Sequence, residues 1–112
     1  MKFTESLKKK CEFRIVYSKG KPIANRLLVM YVLPNGLTYN RLGISVSKKV
    51  GNSVVRNKVT RRIRESYRLS ESRTAAGSDI IIIARTSANT ATYAGIDKAL
   101  RQLMKKQGIG GT

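Results

Sequence analysis

Apolar positions along the chain switch between a helical period and a strand period, and the switches outline the elements. In "FTESLKKKCEFRIVYSKG" the spacing of Leu7, Phe13, Val16 and Tyr17 predicts a helix over about residues 9–18, stopped by Gly20 and Pro22. The stretch "RLLVMYVLP" is rich in apolar and β-prone side chains and reads as a strand, after which Pro34, Asn35 and Gly36 supply turn chemistry. In "YNRLGISVSKK", Leu42, Ile44 and Val46 alternate with Arg41, Gly43, Ser45 and Ser47, the period of a strand with one buried face. Joined by that turn, the two strands are expected to form an antiparallel hairpin.

Gly51, Asn52 and Ser53 break the pattern, and Asn52 or Ser53 suits the N-cap of a helix that runs to about residue 70. Beyond the small polar linker "SESRTAAGS", the run "DIIIIAR" is nearly all isoleucine, as expected of a strand covered on both faces. A last helix, from about Thr92 to Lys106, places Tyr93, Ile96, Leu100, Leu103 and Met104 on one face, and residues 107–112 read as a flexible tail. The order helix, two strands, helix, strand, helix indicates an α+β fold, one domain over residues 1–112 with helices packed on a small sheet. The second strand, the basic helix and the isoleucine strand look like a βαβ unit, for which a right-handed crossover is the general default.

A length of 112 residues allows one modest core. Twenty-three Lys and Arg against six Asp and Glu give a net charge of +17, far above the about 2 to 8 that solubility requires of a small domain. Self-repulsion of that size disfavours compaction, so a polyanion is the expected partner, with nucleic acid ahead of a membrane surface. The longest apolar run, Ile80 to Ala84, is strand-sized, and the N-terminus lacks the apolar region of a secretory signal, so no membrane partner and a cytoplasmic location are expected. One cysteine, Cys11, excludes an internal disulfide and reads as a small, partly buried residue. With no histidine there is no imidazole base, and the six acids are scattered, which disfavours a free-standing hydrolase.

The charge is concentrated in "VVRNKVTRRIRESYR". Projected at about 100° per residue, Asn57, Arg61, Arg64 and Arg68 fall within roughly 60° of one another, opposite Val55, Val59, Ile63 and Ser66. Arg56 and Thr60 lie on one flank, Lys58 and Arg62 toward the other. An ordinary solvated face mixes signs, because like charges one turn apart repel; here Arg61, Arg64 and Arg68 are successive like neighbours. Guanidinium forks span two phosphate oxygens and stack on bases, which favours a folded RNA over duplex DNA. No dimerising heptads or helix-turn-helix pair accompany the row, so DNA is not expected. Phe13 and Tyr17, four residues apart, could be joined by Tyr31 and interleaved with Lys19, Arg14 and Arg26 as a platform for unpaired bases, though spacing alone assigns such a pair to a core.

"SVSKKVGNSVVRNKVTRRIRE", Ser45 to Glu65, resembles the serine, paired-lysine and Arg-Asn-Arg segment of the protein subunit of bacterial ribonuclease P, the ribonucleoprotein that trims 5′ leaders from precursor tRNA. "EFRIVYSKGK", then "ANR", and later "DIIIIAR" match in the same order, so the similarity extends from about Leu7 to Lys106. The resemblance implies an α-β sandwich like the second domain of a small-subunit ribosomal protein, with a left-handed βαβ crossover in place of the default. It implies a catalytic RNA subunit and precursor tRNA as partners, chemistry performed by magnesium bound mainly by the RNA, and no catalytic residue on this chain; whether the protein itself ligates metal is left open. Arg56, Asn57, Lys58, Arg61 and Arg64 would contact the catalytic RNA, extended along the same helix by Arg62 and Arg68. Phe13, Tyr17 and Tyr31 would line a cleft for the single-stranded leader, with Lys19 beside them and Lys48 and Lys49 at its margin. Three departures stand out: Lys58 where the motif more often has arginine, Thr60 at a commonly basic position, and Tyr17 for a commoner phenylalanine. The alternative is a structural ribosomal or RNA-chaperone protein, which has no need of an aromatic cleft.

Overall fold

The alternation of Leu42 and Ile44 with Arg41, Gly43 and Ser45 resolves into a strand that faces a helix on each side, and the rest of the fold is arranged about it. The computed structural model describes residues 4–110. In chain order the elements are β1 (Thr4–Ser6), α1 (Lys10–Lys19), β2 (Lys21–Ala24), β3 (Leu28–Pro34), β4 (Asn40–Ser45), α2 (Ser53–Ser70), β5 (Ser78–Ala84) and α3 (Tyr93–Lys106), with 3-10 turns at Glu71–Arg73 and Thr86–Thr90. All strands join one five-stranded mixed sheet in the order β1-β4-β5-β3-β2. Strand β4 runs parallel to β5, so β4, α2 and β5 form the expected βαβ unit, while β3 is antiparallel to β5.

The expected β3–β4 hairpin does not exist, because β5 lies between the two strands. An isoleucine strand with two apolar faces must sit at the centre of the sheet, and that requirement overrides the local turn chemistry at residues 34–36. The connection therefore has to cross the end of β5. Asn35 stitches the crossing: its backbone N–H donates to Gly77 O at 2.9 Å, and its side-chain amide donates to Asp79 Oδ1 at 2.9 Å. Strands β1 and β2 carry too few residues to show a period. Both are edges, where shortness, Lys21 and the missing N–H of Pro22 discourage pairing with another chain.

Alternation along β5 explains its composition. Ile80 and Ile82 face α2 and α3, meeting Val59, Ile63, Tyr67 and Leu100, whereas Ile81 faces α1, meeting Val16 and Leu7. Of the α3 stripe, Ile96, Leu100, Leu103 and Met104 are buried and Tyr93 is half-buried. Buried Asn40 ties the layers, donating to Ala75 O at 3.0 Å and accepting from Ser78 N at 2.9 Å. The Tyr67 hydroxyl meets Thr4 Oγ1 at 2.8 Å, which fastens β1 to the end of α2.

The described part of the expected tail is held in place. Gly108, at φ 76°, ends α3 in a Schellman turn: its N–H reaches Lys105 O at 3.0 Å, and Ile109 N–H reaches Met104 O at 3.1 Å. Ile109 is buried, and its carbonyl accepts from Ala75 N at 2.8 Å. Residues 111–112 lie outside the described residues. Cys11, expected to be partly buried, is exposed. Among the described residues no helix is long and apolar enough to cross a membrane.

Candidate nucleic-acid interface

Helix α2 starts where Asn52 Oδ1 accepts from Val55 N at 3.0 Å, as its sequence suggested. Val59, Ile63 and Ser66 are buried against the sheet and α3, and Asn57, Arg61, Arg64 and Arg68 are exposed on the far side. The arginines of this helix divide into four kinds. Arg61 and Arg64 make no ion pair among the described residues. Arg68 grips Glu65 with two bonds, at 2.6 and 3.0 Å, so its charge is partly balanced within the helix. Arg62 is half-buried and donates to Ala91 O at 2.6 Å, serving the α2–α3 connection rather than the open row. Half-buried Arg56 has its Nε enclosed without a partner among the described residues, while Lys58 is exposed on the opposite flank.

Lys48 and Lys49 occupy the turn after β4 and are exposed. Val50, only 2% exposed, anchors that turn, and its N–H donates to Ser47 O at 3.1 Å. The two ammonium groups are thus carried on a pinned turn.

Across the sheet, α1 presents the aromatic residues. Glu12 receives the Lys8 and Lys9 N–H groups at 3.2 and 3.0 Å, which fixes the start of the helix; those bonds, aided by Arg41, hold its carboxyl below the usual range. Phe13 lies against Gly43: a Cβ there would come within 2.6 Å of two Phe13 ring carbons. The Phe13 and Tyr17 rings are 6.4 Å apart, and Tyr17 meets Tyr31 edge-on at 5.1 Å. Phe13 and Tyr31 pack partly into the small core beneath α1, whereas Tyr17 remains 39% exposed. The three rings therefore both cover apolar surface and present edges to solvent. Burial raises the Tyr17 phenol above its ordinary pKa, with a bond to Ser45 opposing the shift. Lys19 is exposed in the last turn of α1.

Arg41 was not singled out by the sequence pattern. Its guanidinium joins Glu12 Oε2 at 2.5 Å and grips Asp79 with bonds of 2.8 and 2.7 Å. Burial would raise the Asp79 carboxyl, but bonds from Arg41 and Asn35 outweigh it and hold the group below the usual range. This triad binds the start of α1 to β4 and β5, and so sets where Phe13 stands.

Two open clefts meet at Phe13. One, of about 380 Å³, runs along Thr4–Leu7 and Leu42–Ile44 with Phe13 on one rim and Arg64 on the other. It exists because β1 stops pairing at Leu42, leaving the next residues of β4 without a strand beyond them. The second, of about 370 Å³, is lined by Lys8, Lys10, Phe13, Arg14 and Tyr17. An aromatic ledge with lysines on one side thus continues through a notch to Arg64 of the exposed α2 row. Among the described residues no three His, Cys, Asp or Glu side chains converge to hold a metal. Glu12 and Asp79 are engaged by Arg41, Asp97 by Arg101 and Ser66, and Glu65 by Arg68, so these four carboxylates are committed to partners within the chain.

Comparison with known proteins agrees with this geometry. The family model described as Ribonuclease P matches residues 1–108. The chain is 49% identical over 106 residues to the ribonuclease P protein component of Alkaliphilus metalliredigens, covering 95% of this chain and 96% of the relative. The RNase P protein of Staphylococcus aureus superposes with a TM-score of 0.88 at 40% identity, covering 95% of this chain and 97% of the other. That of Thermotoga maritima superposes at 0.84 with 30% identity, covering 91% and 96%.

Proposed function

The chain belongs to the ribonuclease P protein family, whose members help an RNA subunit process precursor tRNA, and from that premise we propose how this one divides the task between its two faces. The exposed row of α2, with Arg61 and Arg64 foremost and Asn57, Lys58 and Arg68 beside them, binds phosphates of the catalytic RNA. Each phosphate neutralised releases condensed counterions, so the contact stabilises the folded RNA and weakens as monovalent salt rises. Phe13, Tyr17 and Tyr31 receive the single-stranded 5′ leader of precursor tRNA, with Lys19, Lys48 and Lys49 balancing its backbone. The observation that carries this reading is the notch lined by both Phe13 and Arg64, which sets the stacking surface for the leader beside the phosphate-binding row for the catalytic RNA.

Cleavage is phosphodiester hydrolysis, for which magnesium held by the RNA would supply an activated water and stabilise developing charge. The protein's own contribution is positioning: the Arg41 triad holds α1, α1 holds Phe13, and the leader is held in register with the arginine row. Such a protein acts in the cytoplasm, where tRNA precursors are made. A structural RNA-chaperone role has no use for an exposed Tyr17 edge against Tyr31.

The test is Phe13→Ala in the reconstituted ribonucleoprotein. Loss of one stacked base costs about 1 to 3 kcal/mol, so affinity for precursor tRNA should fall about 5- to 150-fold while mature tRNA is bound as before. Equal losses for both substrates would remove the leader site from this cleft.

A further inference from the structure

Where α2 and α3 both end, away from the aromatic ledge, lies a cavity of about 320 Å³. It is lined by Arg73 and Thr74 from the turn after α2, by Arg101, Met104 and Lys105 from α3, and by Gly110. It shares no lining residue with either cleft described above. Its wall is built by specific contacts: Thr74 and Gly110 form a β-bridge, and Ala75 N–H donates to Ile109 O at 2.8 Å. Gly110 packs closely, since a Cβ on it would stand 3.0 Å from Met104 Cβ.

Three cations from two elements converge here around an apolar floor, Met104 being 2% exposed. Arg101 is paired with Asp97 at 3.1 Å, but Arg73 and Lys105 have no ion pair among the described residues. A cation in the last turn of a helix is favoured by the helix dipole, which accounts for Lys105 taken singly. It does not account for Arg73, from a separate element, lining the same half-open and mostly apolar cavity as Lys105 in a chain of net charge +17. The volume falls at the lower end of the range of about 300 to 1,000 Å³ typical of ligand sites, enough for one small group with both a charged and a flat apolar part.

We propose that this cavity binds one unpaired nucleotide of the RNA that the protein serves, its phosphate held by Arg73 and Lys105 and its base seated on Met104. The proposal rests on the RNA-binding role given above. It adds a third contact, at the opposite ends of α2 and α3 from the Asn52 cap, so that α2 is held by RNA along its row and again beyond its last turn.

Salt dependence of binding tests it. Arg73→Ala/Lys105→Ala is compared with Lys21→Ala/Lys106→Ala, which removes the same charge from exposed positions lining none of these cavities, and with Arg61→Ala/Arg64→Ala. Thermal unfolding checks that each is folded. Affinity is measured against salt in two arms, protein with ribonuclease P RNA and reconstituted complex with precursor tRNA. Each lost phosphate contact should lower the slope of log affinity against log salt by about 0.7 to 0.9. A drop of that size beyond the Lys21/Lys106 control supports the site, and the arm in which it occurs tells which RNA supplies the nucleotide. No excess over that control in either arm, while Arg61→Ala/Arg64→Ala lowers the slope, overturns the cavity site and leaves the α2 reading standing. If the arginine pair also matches the control, the reading on which the proposal rests fails with it.

Discussion

Replacing Gly43 with alanine puts a carbon where the Phe13 ring already lies, 2.6 Å from Cε1 and Cζ and 3.3 Å from Leu7 Cδ1. Carbon atoms rest comfortably at about 3.5 to 4.0 Å, so one side has to retreat by about 1 Å. Helix α1 is poorly placed to move: Val16 is fully buried, and Glu12 is fastened through Arg41 to Asp79. The half-buried Phe13 ring therefore swings off the sheet. Overpacking of this kind costs about 1 to 3 kcal/mol, and each kcal/mol lowers Tm by roughly 4 °C in a domain of this size. Thermal unfolding should show that loss, and the reconstituted complex should lose affinity for precursor tRNA with little change for mature tRNA. The clash also predicts coupling: in a Phe13→Ala background the added methyl meets no ring, so Gly43→Ala should cost at least about 1 kcal/mol less than in the parent. Equal costs in the two backgrounds would show that Phe13 does not rest on Gly43, and the positioning argument for the ledge would fall.

Arg64→Ala should weaken binding to ribonuclease P RNA more than Arg68→Ala, since Glu65 already balances Arg68, and Glu65→Gln should strengthen binding by freeing it; the reverse order in a filter-binding series would contradict the division of the arginines. Acid stability gives another check. The Asp79 carboxyl is held below its ordinary range in the folded protein, so the unfolded chain takes up the proton first, and the stabilisation present at neutral pH is lost as pH falls below about 4 and through the folded pKa. Asp79→Asn should lower stability at pH 7 yet flatten the acid limb of a denaturation series, and parallel pH profiles for the two proteins would refute the triad's role.

Much of the α2 surface was legible because every residue that decides it lies within a turn or two. The Asn52 cap, the Val59–Ile63 stripe and the outward row follow from a 3.6-residue period and from capping chemistry. The Glu65–Arg68 pair follows in the same way, since residues three apart share a face. The Schellman end of α3 was likewise written in Gln107, Gly108 and Ile109, a glycine followed by an apolar residue. Gly43 inside a strand signalled a close approach without saying to what. The Arg41 triad left no local trace, because its members come from α1, β4 and β5.

Composition and periodicity alone determined that this chain is basic and α+β, with an arginine-bearing helix resting on a buried sheet. Such features depend on neighbours close in the chain and on total charge. Tertiary structure decided that β5 separates β3 from β4, that Arg62 turns inward to Ala91 while Arg61 and Arg64 have no ion pair among the described residues, and that Phe13 and Arg64 line one notch. Those outcomes are contacts between residues distant in sequence. They follow from where a strand with two apolar faces can be buried, a competition among all the elements at once.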